Sequence, residues 1–261
     1  MKITGILPLR NGVALGYPFE LAIRSLRDLC DEVIVGVDPT SDDDTLTRVR
    51  GLGIVDRVVE SVWDMGNHDG HRNCEISVQT QRLIDVAEGD WIFSLQADEL
   101  LHEDEVWRLR DAARICEASG VSAVELLRLY FFGGLDRIRS DWTLWMVRFF
   151  RRGSWRPDVD GAMRFDPVGD SMRARITSAH IWHYSRIGDP QLIAERVRNL
   201  DQFFHAPGAI ESGPLPPYDF SRTMALDSYV LGREGGGEAE GVLQYFDSRR
   251  HPKGIEEAFG G

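Results

Sequence analysis

The sequence predicts an α/β protein, a three-layer sandwich with helices on both faces of a mixed central sheet. Three observations predict it. Short apolar runs alternate with segments of helical period through the first half of the chain. The run Val33-Ile34-Val35-Gly36-Val37 is apolar without a polar alternate, as in a strand buried on both faces. In the second half, three strand-like runs follow one another without ten-residue helices between them, which predicts antiparallel additions to a parallel sheet.

The elements are justified in order. Ile3 to Leu7 is a short apolar strand, closed by Pro8 and the polar loop Arg10-Asn11-Gly12. Phe19, Ala22, Ile23, Leu26 and Leu29 recur at helical spacing. Val33 to Val37 is the second strand and stops at Asp38-Pro39. Thr40 to Thr45 carries hydroxyls and carboxylates ahead of Leu46 to Val49, a helix start with Asp42 to Asp44 as capping and solvated charge. Val55 to Val62 is a third strand. Trp63 to Asn73, polar and containing His68 and His71, is a loop. Ser77 to Ala87 is helical, and Trp91 to Leu95 is a strand ending at Gln96-Ala97-Asp98-Glu99. A helix follows from His102 to Ala118. Ala123 to Phe132, Trp142 to Phe150 and Ile176 to Tyr184 are strands. Asp189 to Phe204 is a helix with Pro190 in its first turn. Beyond Ala206, Pro and Gly accumulate, with Gly235-Gly236-Gly237 as a flexible joint. Residues 1–205 therefore read as one domain and 206–261 as a partly flexible appendage.

Composition narrows the function. Against 30 Lys and Arg stand 42 Asp and Glu, a net charge of −12. That opposes nucleic-acid binding, which draws its affinity from clustered basic residues, and broad adhesion to anionic lipid. Lys2 and Lys253 are the only lysines, so 28 of the 30 basic residues are arginine, the better fork for carboxylate and phosphate. The three cysteines, Cys30, Cys74 and Cys116, show no C-x-x-C spacing, which suits a reducing compartment. No apolar run approaches the ~18 residues that span a bilayer. The start MKITGILPLRNG has no small-residue cleavage site and reads as a strand, not a leader. The expectation is a soluble cytoplasmic protein, with peripheral contact at the inner face of the membrane left open.

Known nucleotide-binding signatures are missing. Gly12-Val-Ala-Leu-Gly16 has the wrong spacing for G-x-G-x-x-G, and neither a P-loop nor a G-x-S-x-G elbow occurs. Polar groups instead gather at strand ends, where open α/β sheets bind ligands: Pro8 to Asn11, Asp38, and Gln96 to Glu99.

Two of these strand ends carry a family resemblance. Asp31 to Thr45, DEVIVGVDPTSDDDT, resembles the second-strand segment of family 2 glycosyltransferases. Gly89 to Glu99, GDWIFSLQADE, is similar to their Asp-x-Asp segment. Val147 to Gly153, VRFFRRG, and His180 to Tyr184, HIWHY, resemble later stretches of the lipopolysaccharide-core type members. The resemblance covers roughly residues 1 to 205. It implies a GT-A fold, the Rossmann-like sandwich of nucleotide-diphospho-sugar transferases. It also implies transfer of a sugar from a UDP, GDP or dTDP type donor to a glycan or lipid-linked hydroxyl acceptor, with inversion, in surface polysaccharide or glycan assembly.

The implied chemistry has a physical basis. An acidic protein needs a countercharge for a diphosphate, and Mn²⁺ or Mg²⁺ held by hard ligands supplies one. Asp98 matches the last carboxylate of the Asp-x-Asp motif and His183 the late histidine, so both are expected metal ligands, with Glu99 as a further one. His180 lies an odd number of residues from His183, so the two face opposite ways along a strand. Gln96 stands where the family has its first Asp, and Gln carries no charge. Asp38 corresponds to the nucleobase-reading carboxylate. Pro8, Arg10 and Asn11 line the same rim, Arg10 as a diphosphate contact. The acceptor base falls to Asp160, with Asp158 behind it. Trp142 to Arg152 mixes aromatics and arginines suited to a sugar face, a lipid-linked acceptor or the bilayer interface, and equally to an edge strand with one buried face. Two rivals stay open: a nucleotidyltransferase, and a non-catalytic relative that binds nucleotide or glycan, which Gln96 favours.

Overall fold

The computed structural model describes residues 1–65, 75–158, 164–203, 220–225 and 250–259. The first half alternates strand and helix: β1 (Ile3–Leu9), α1 (Phe19–Leu29), β2 (Glu32–Val37), α2 (Thr45–Gly51), β3 (Arg57–Glu60), α3 (Glu75–Val86), β4 (Trp91–Ser94), the short β5 (Glu99–Leu100) and α4 (Val106–Ser119). The second half supplies β6 (Ala123–Phe132), β7 (Arg137–Arg139), β8 (Leu144–Arg151), β9 (Trp155–Pro157), β10 (Phe165–Pro167), β11 (Arg173–Arg186), α5 (Pro190–Asp201), β12 (Thr223–Ala225) and α6 (Ile255–Phe259).

The central sheet is mixed. From one edge it runs β3-β2-β1-β4-β8-β6, and β11 pairs along β6. β3, β2, β1 and β4 are parallel. β8 enters antiparallel between β4 and β6. The expectation of antiparallel additions holds for β8 and only in part for β11, which pairs antiparallel with β5 but runs parallel to β6 with bulges after Arg175 and His183. Two antiparallel steps restore the direction of β4 at β6. The paired strands β9 and β10 then precede β11, and among the described residues no crossover helix lies between β8 and β11. Helix α4 starts four residues later than predicted, because residues 101–105 carry the chain away from β5 first.

Every residue of β1 and β2 is buried, as a doubly covered sheet requires. Alternation along each strand then divides the core. Leu7, Leu9, Val33 and Val35 pack with Leu26 of α1 and Leu109 of α4 on one face. Ile6, Ile34 and Ile92 pack with Leu83 and Ile84 of α3 on the other. Gly5 keeps α1 close, since a Cβ there would lie 2.9 Å from Cys30 Sγ and 3.1 Å from Leu26. A third cluster joins Leu127, Leu129 and Phe131 of β6 to Trp182 and Tyr184 of β11 and Ile255 of α6. In the predicted appendage, β12 pairs with β7. His251 bonds Tyr184 Oη (2.9 Å) and the Leu135 carbonyl (2.9 Å), so both described pieces rest on the body of the fold. No helix among the described residues is long and apolar enough to cross a membrane.

Candidate functional site

The carboxyl ends of β1, β4 and β11 open onto one cavity of about 350 Å³, walled on its outer side by α5. It lies where a parallel sheet exposes strand ends and loop amides. Pro8, Arg10, Gln96, Asp98 and His183 line it. Asn11, Asp38, Glu99 and Asp158 are absent from its wall.

Asp98 and His183 meet on the floor. Asp98 Oδ2 lies 3.6 Å from His183 Nε2, and the Tyr184 N–H donates to the Asp98 carbonyl at 2.9 Å, tying the β4–β5 turn to β11. Burial, with the Glu99 charge added, pushes the Asp98 carboxyl up to about 6. Burial, with Arg128, Arg148 and Arg186 nearby, holds the His183 imidazole well below its ordinary range, so it is neutral at pH 7. Its Nδ1 is buried without a hydrogen-bond partner. The ring stacks on Tyr130 with centroids 4.4 Å apart. His180 goes the other way, to Glu105, whose carboxylate takes both its N–H (2.8 Å) and its Nδ1 (2.8 Å).

This pair fits a divalent cation. A carboxylate oxygen and a neutral imidazole nitrogen 3.6 Å apart are close enough to bind one ion at roughly 2.0–2.2 Å each. Among the described residues no group of three or more His, Cys, Asp or Glu converges. Asp98 and His183 are therefore the two groups here that could hold a cation whose other positions were filled by ligand oxygens and water.

Glu99 departs from its expected place as a metal ligand. Asp98 stands in the turn before β5, whereas Glu99 opens that strand and its carboxylate is fully buried, off the cavity wall. It accepts from Arg148 Nη2 at 2.9 Å and from the Gln96 N–H at 3.0 Å, with Arg128 Nη1 at 3.9 Å. Glu99 therefore balances two buried arginines and fixes the turn that presents Gln96 and Asp98. Asp38 is also fully buried. Its oxygens accept from Arg10 Nε (2.9 Å), the Thr40 N–H (2.9 Å) and the Thr40 hydroxyl (2.7 Å). It reaches the cavity only through Arg10.

Asn11 sits at φ 52° and donates its N–H to Ser41 Oγ at 3.2 Å. Asp43, expected as a cap, also accepts the Ala14 N–H (2.8 Å) and so braces the loop after β1. Asp158 rests its backbone on Ser77 and Arg164. Asp160, His68, His71 and Cys74 lie outside the described residues.

Beside Asp98, four arginines line the cavity: Arg10, expected on this rim, and Arg128, Arg186 and Arg196. Arg196 is buried and donates to the carbonyls of Leu15 (2.7 Å), Ser185 (3.2 Å), Ile187 (3.0 Å) and Gly16, tying the β1–α1 loop to the end of β11. It also lies over the Tyr17 ring. The aromatic side of the cavity is Tyr130, Trp142, Trp63 and Phe203, the last two paired with centroids 5.7 Å apart. The missed signal was an arginine inside an apolar strand. Arg128 in ELLRLYFF and Arg148 in LWMVRFFR are charges that a buried strand tolerates only with a partner and a purpose.

No protein-family model matches the chain, and no curated protein does. Among solved structures, S. aureus TarS 1-349 is 16% identical with a TM-score of 0.46, covering 78% of this chain and 65% of that one. Its complex with UDP-GlcNAc gives 18% and 0.47, over 78% and 66%. Glucosyl-3-phosphoglycerate synthase from Mycobacterium tuberculosis, with Mn²⁺, UDP and glucosyl-3-phosphoglycerate, gives 16% and 0.42, over 80% and 81%. The chain spans just under two thirds of TarS 1-349.

Proposed function

We propose that this protein is a GT-A-type glycosyltransferase that binds a nucleoside diphosphate sugar in the cavity and passes the sugar to a hydroxyl acceptor. The observation that carries the reading is the Asp98–His183 pair, which joins the β4–β5 turn to β11 on the floor of an arginine-lined cavity. A neutral imidazole and a carboxylate suit Mn²⁺ or Mg²⁺ bound together with the donor's diphosphate. When bound, such a cation supplies countercharge to the departing nucleoside diphosphate.

The chain's own groups do the rest. The Asp38 carboxylate accepts from Arg10 Nε and so positions that guanidinium on the cavity wall, where Arg10 is the proposed diphosphate contact. Pro8 and Gln96 shape the same wall. Asp160 is the proposed acceptor base for an inverting transfer, ahead of Asp158. The aromatic wall suits an apolar sugar face or a lipid-linked acceptor, in keeping with surface polysaccharide or glycan assembly on the cytoplasmic side of a membrane.

A thermal-shift screen with UDP, GDP, CDP and dTDP, each with and without Mn²⁺, tests the reading. A ligand bound by the native state alone raises apparent stability by mass action. At least one diphosphate should raise the melting temperature more with Mn²⁺ than without. No response to any of the four would overturn the reading.

A further inference from the structure

Arg186, the last residue of β11, is half-buried on the cavity wall. Its Nε donates to Tyr130 Oη at 3.3 Å. That hydroxyl is itself fixed by Ser185 Oγ at 3.0 Å, and the Tyr130 ring is clamped against His183. Among the described residues, no carboxylate lies within ion-pair distance of Arg186, and neither Nη has a hydrogen-bond partner. The neighbouring cations differ. Arg10 is matched by Asp38 at 2.9 Å, and Arg128 stands 3.9 Å from Glu99.

A guanidinium has two faces for bidentate contact, the Nε/Nη side and the Nη/Nη end. Here Tyr130 occupies Nε, which leaves the Nη/Nη end. A rigid fork of two donors matches two oxygens of a phosphate or a carboxylate. Partial burial lowers the local dielectric, so such a contact is stronger than on an open surface.

We propose that Arg186 is an oxyanion fork, binding two oxygens of a phosphate or carboxylate group in the cavity, with Tyr130 as its positioning residue. The assignment rests on the proposed glycosyl-transfer reading. Within it, the oxyanion comes from the donor's diphosphate or from an acidic acceptor sugar.

Calorimetric titration of the full chain in EDTA tests this with two probes. Inorganic pyrophosphate stands for the donor's diphosphate and glucuronate for an acidic acceptor. Arg186→Gln should weaken at least one of them about 10-fold or more, as loss of a charge-assisted pair does. Arg186→Lys, which keeps the charge without the fork, should weaken it by less. Tyr130→Phe should weaken it several-fold while leaving Arg186 in place. Loss confined to pyrophosphate assigns the fork to the donor, and loss confined to glucuronate assigns it to the acceptor. Failure of the wild type to bind either probe, or equal binding by wild type and both Arg186 variants, overturns the proposal. Arg186-dependent pyrophosphate binding without donor turnover would keep the fork and sink the transferase reading instead.

Discussion

Replacing Asp98 by Asn should make the protein more stable at neutral pH while removing the proposed metal ligand. Burial and the adjacent Glu99 charge raise the Asp98 carboxyl from 3.8 to about 6. Between those values the native state holds a proton that the unfolded chain has released. Its contribution is therefore fully present below about 3.8 and is lost as pH rises through about 6. At about 1.4 kcal/mol per pH unit, the gap corresponds to roughly 3 kcal/mol of native-state cost above pH 6. Asn keeps the shape and carries no charge, so Asp98→Asn should recover part of that, about 1–3 kcal/mol after Arg128 and Arg196 lose a partner charge. For a chain of this size that is a gain of about 2–10 °C in melting temperature. Melts in EDTA at pH 7.5 and pH 4.5 measure it. The variant should melt higher at pH 7.5, and the difference should shrink at pH 4.5, where native Asp98 is already protonated. A variant less stable at pH 7.5, or equally favoured at both pH values, would refute the reasoning.

Three further substitutions probe the support of the site and the packing of the fold. Glu99→Gln removes the carboxylate that faces buried Arg148 and Arg128, and it should cost about 3–5 kcal/mol, read as a lower urea midpoint; an unchanged midpoint would show that Glu99 is not the arginines' counter-ion. Gly89→Ala would set a Cβ 2.6 Å from the Thr4 backbone N and 2.9 Å from the Trp91 carbonyl, so a loss of about 1–3 kcal/mol is expected. Gly51→Ala, with nothing within 4 Å, should be neutral or stabilising by up to about 1 kcal/mol; comparable losses in both would contradict the packing argument.

The parallel half of the fold was legible because its signals are local. Phe19 to Leu29 shows its helix in spacing alone, and Val33 to Val37 shows a doubly buried strand in composition alone. The direction of β11 was not legible, since strand direction depends on how many antiparallel steps precede it. In the site, Asp98 and His183 could be singled out by motif resemblance, and they do share the cavity floor. Glu99 could not be separated from Asp98 by sequence, because only the placement of Arg148 and Arg128 reveals which carboxylate turns inward. Asp38 looked like a ligand contact, yet its oxygens are spent on Arg10 and Thr40. The arginine lining came from β6, β11 and α5, elements far apart in sequence. A whole-chain charge of −12 hid it, since the acids lie mainly elsewhere on the surface.

The central claim is that Asp98 and His183 act together on a nucleoside diphosphate sugar. The measurement that tests it most directly is release of nucleoside diphosphate from a panel of UDP-, GDP- and dTDP-sugars with Mn²⁺, by wild type, Asp98→Asn and His183→Ala. Release by the wild type, abolished by EDTA and by each substitution, is the predicted result. Release that survives EDTA and both substitutions, or release of pyrophosphate in place of nucleoside diphosphate, would contradict it.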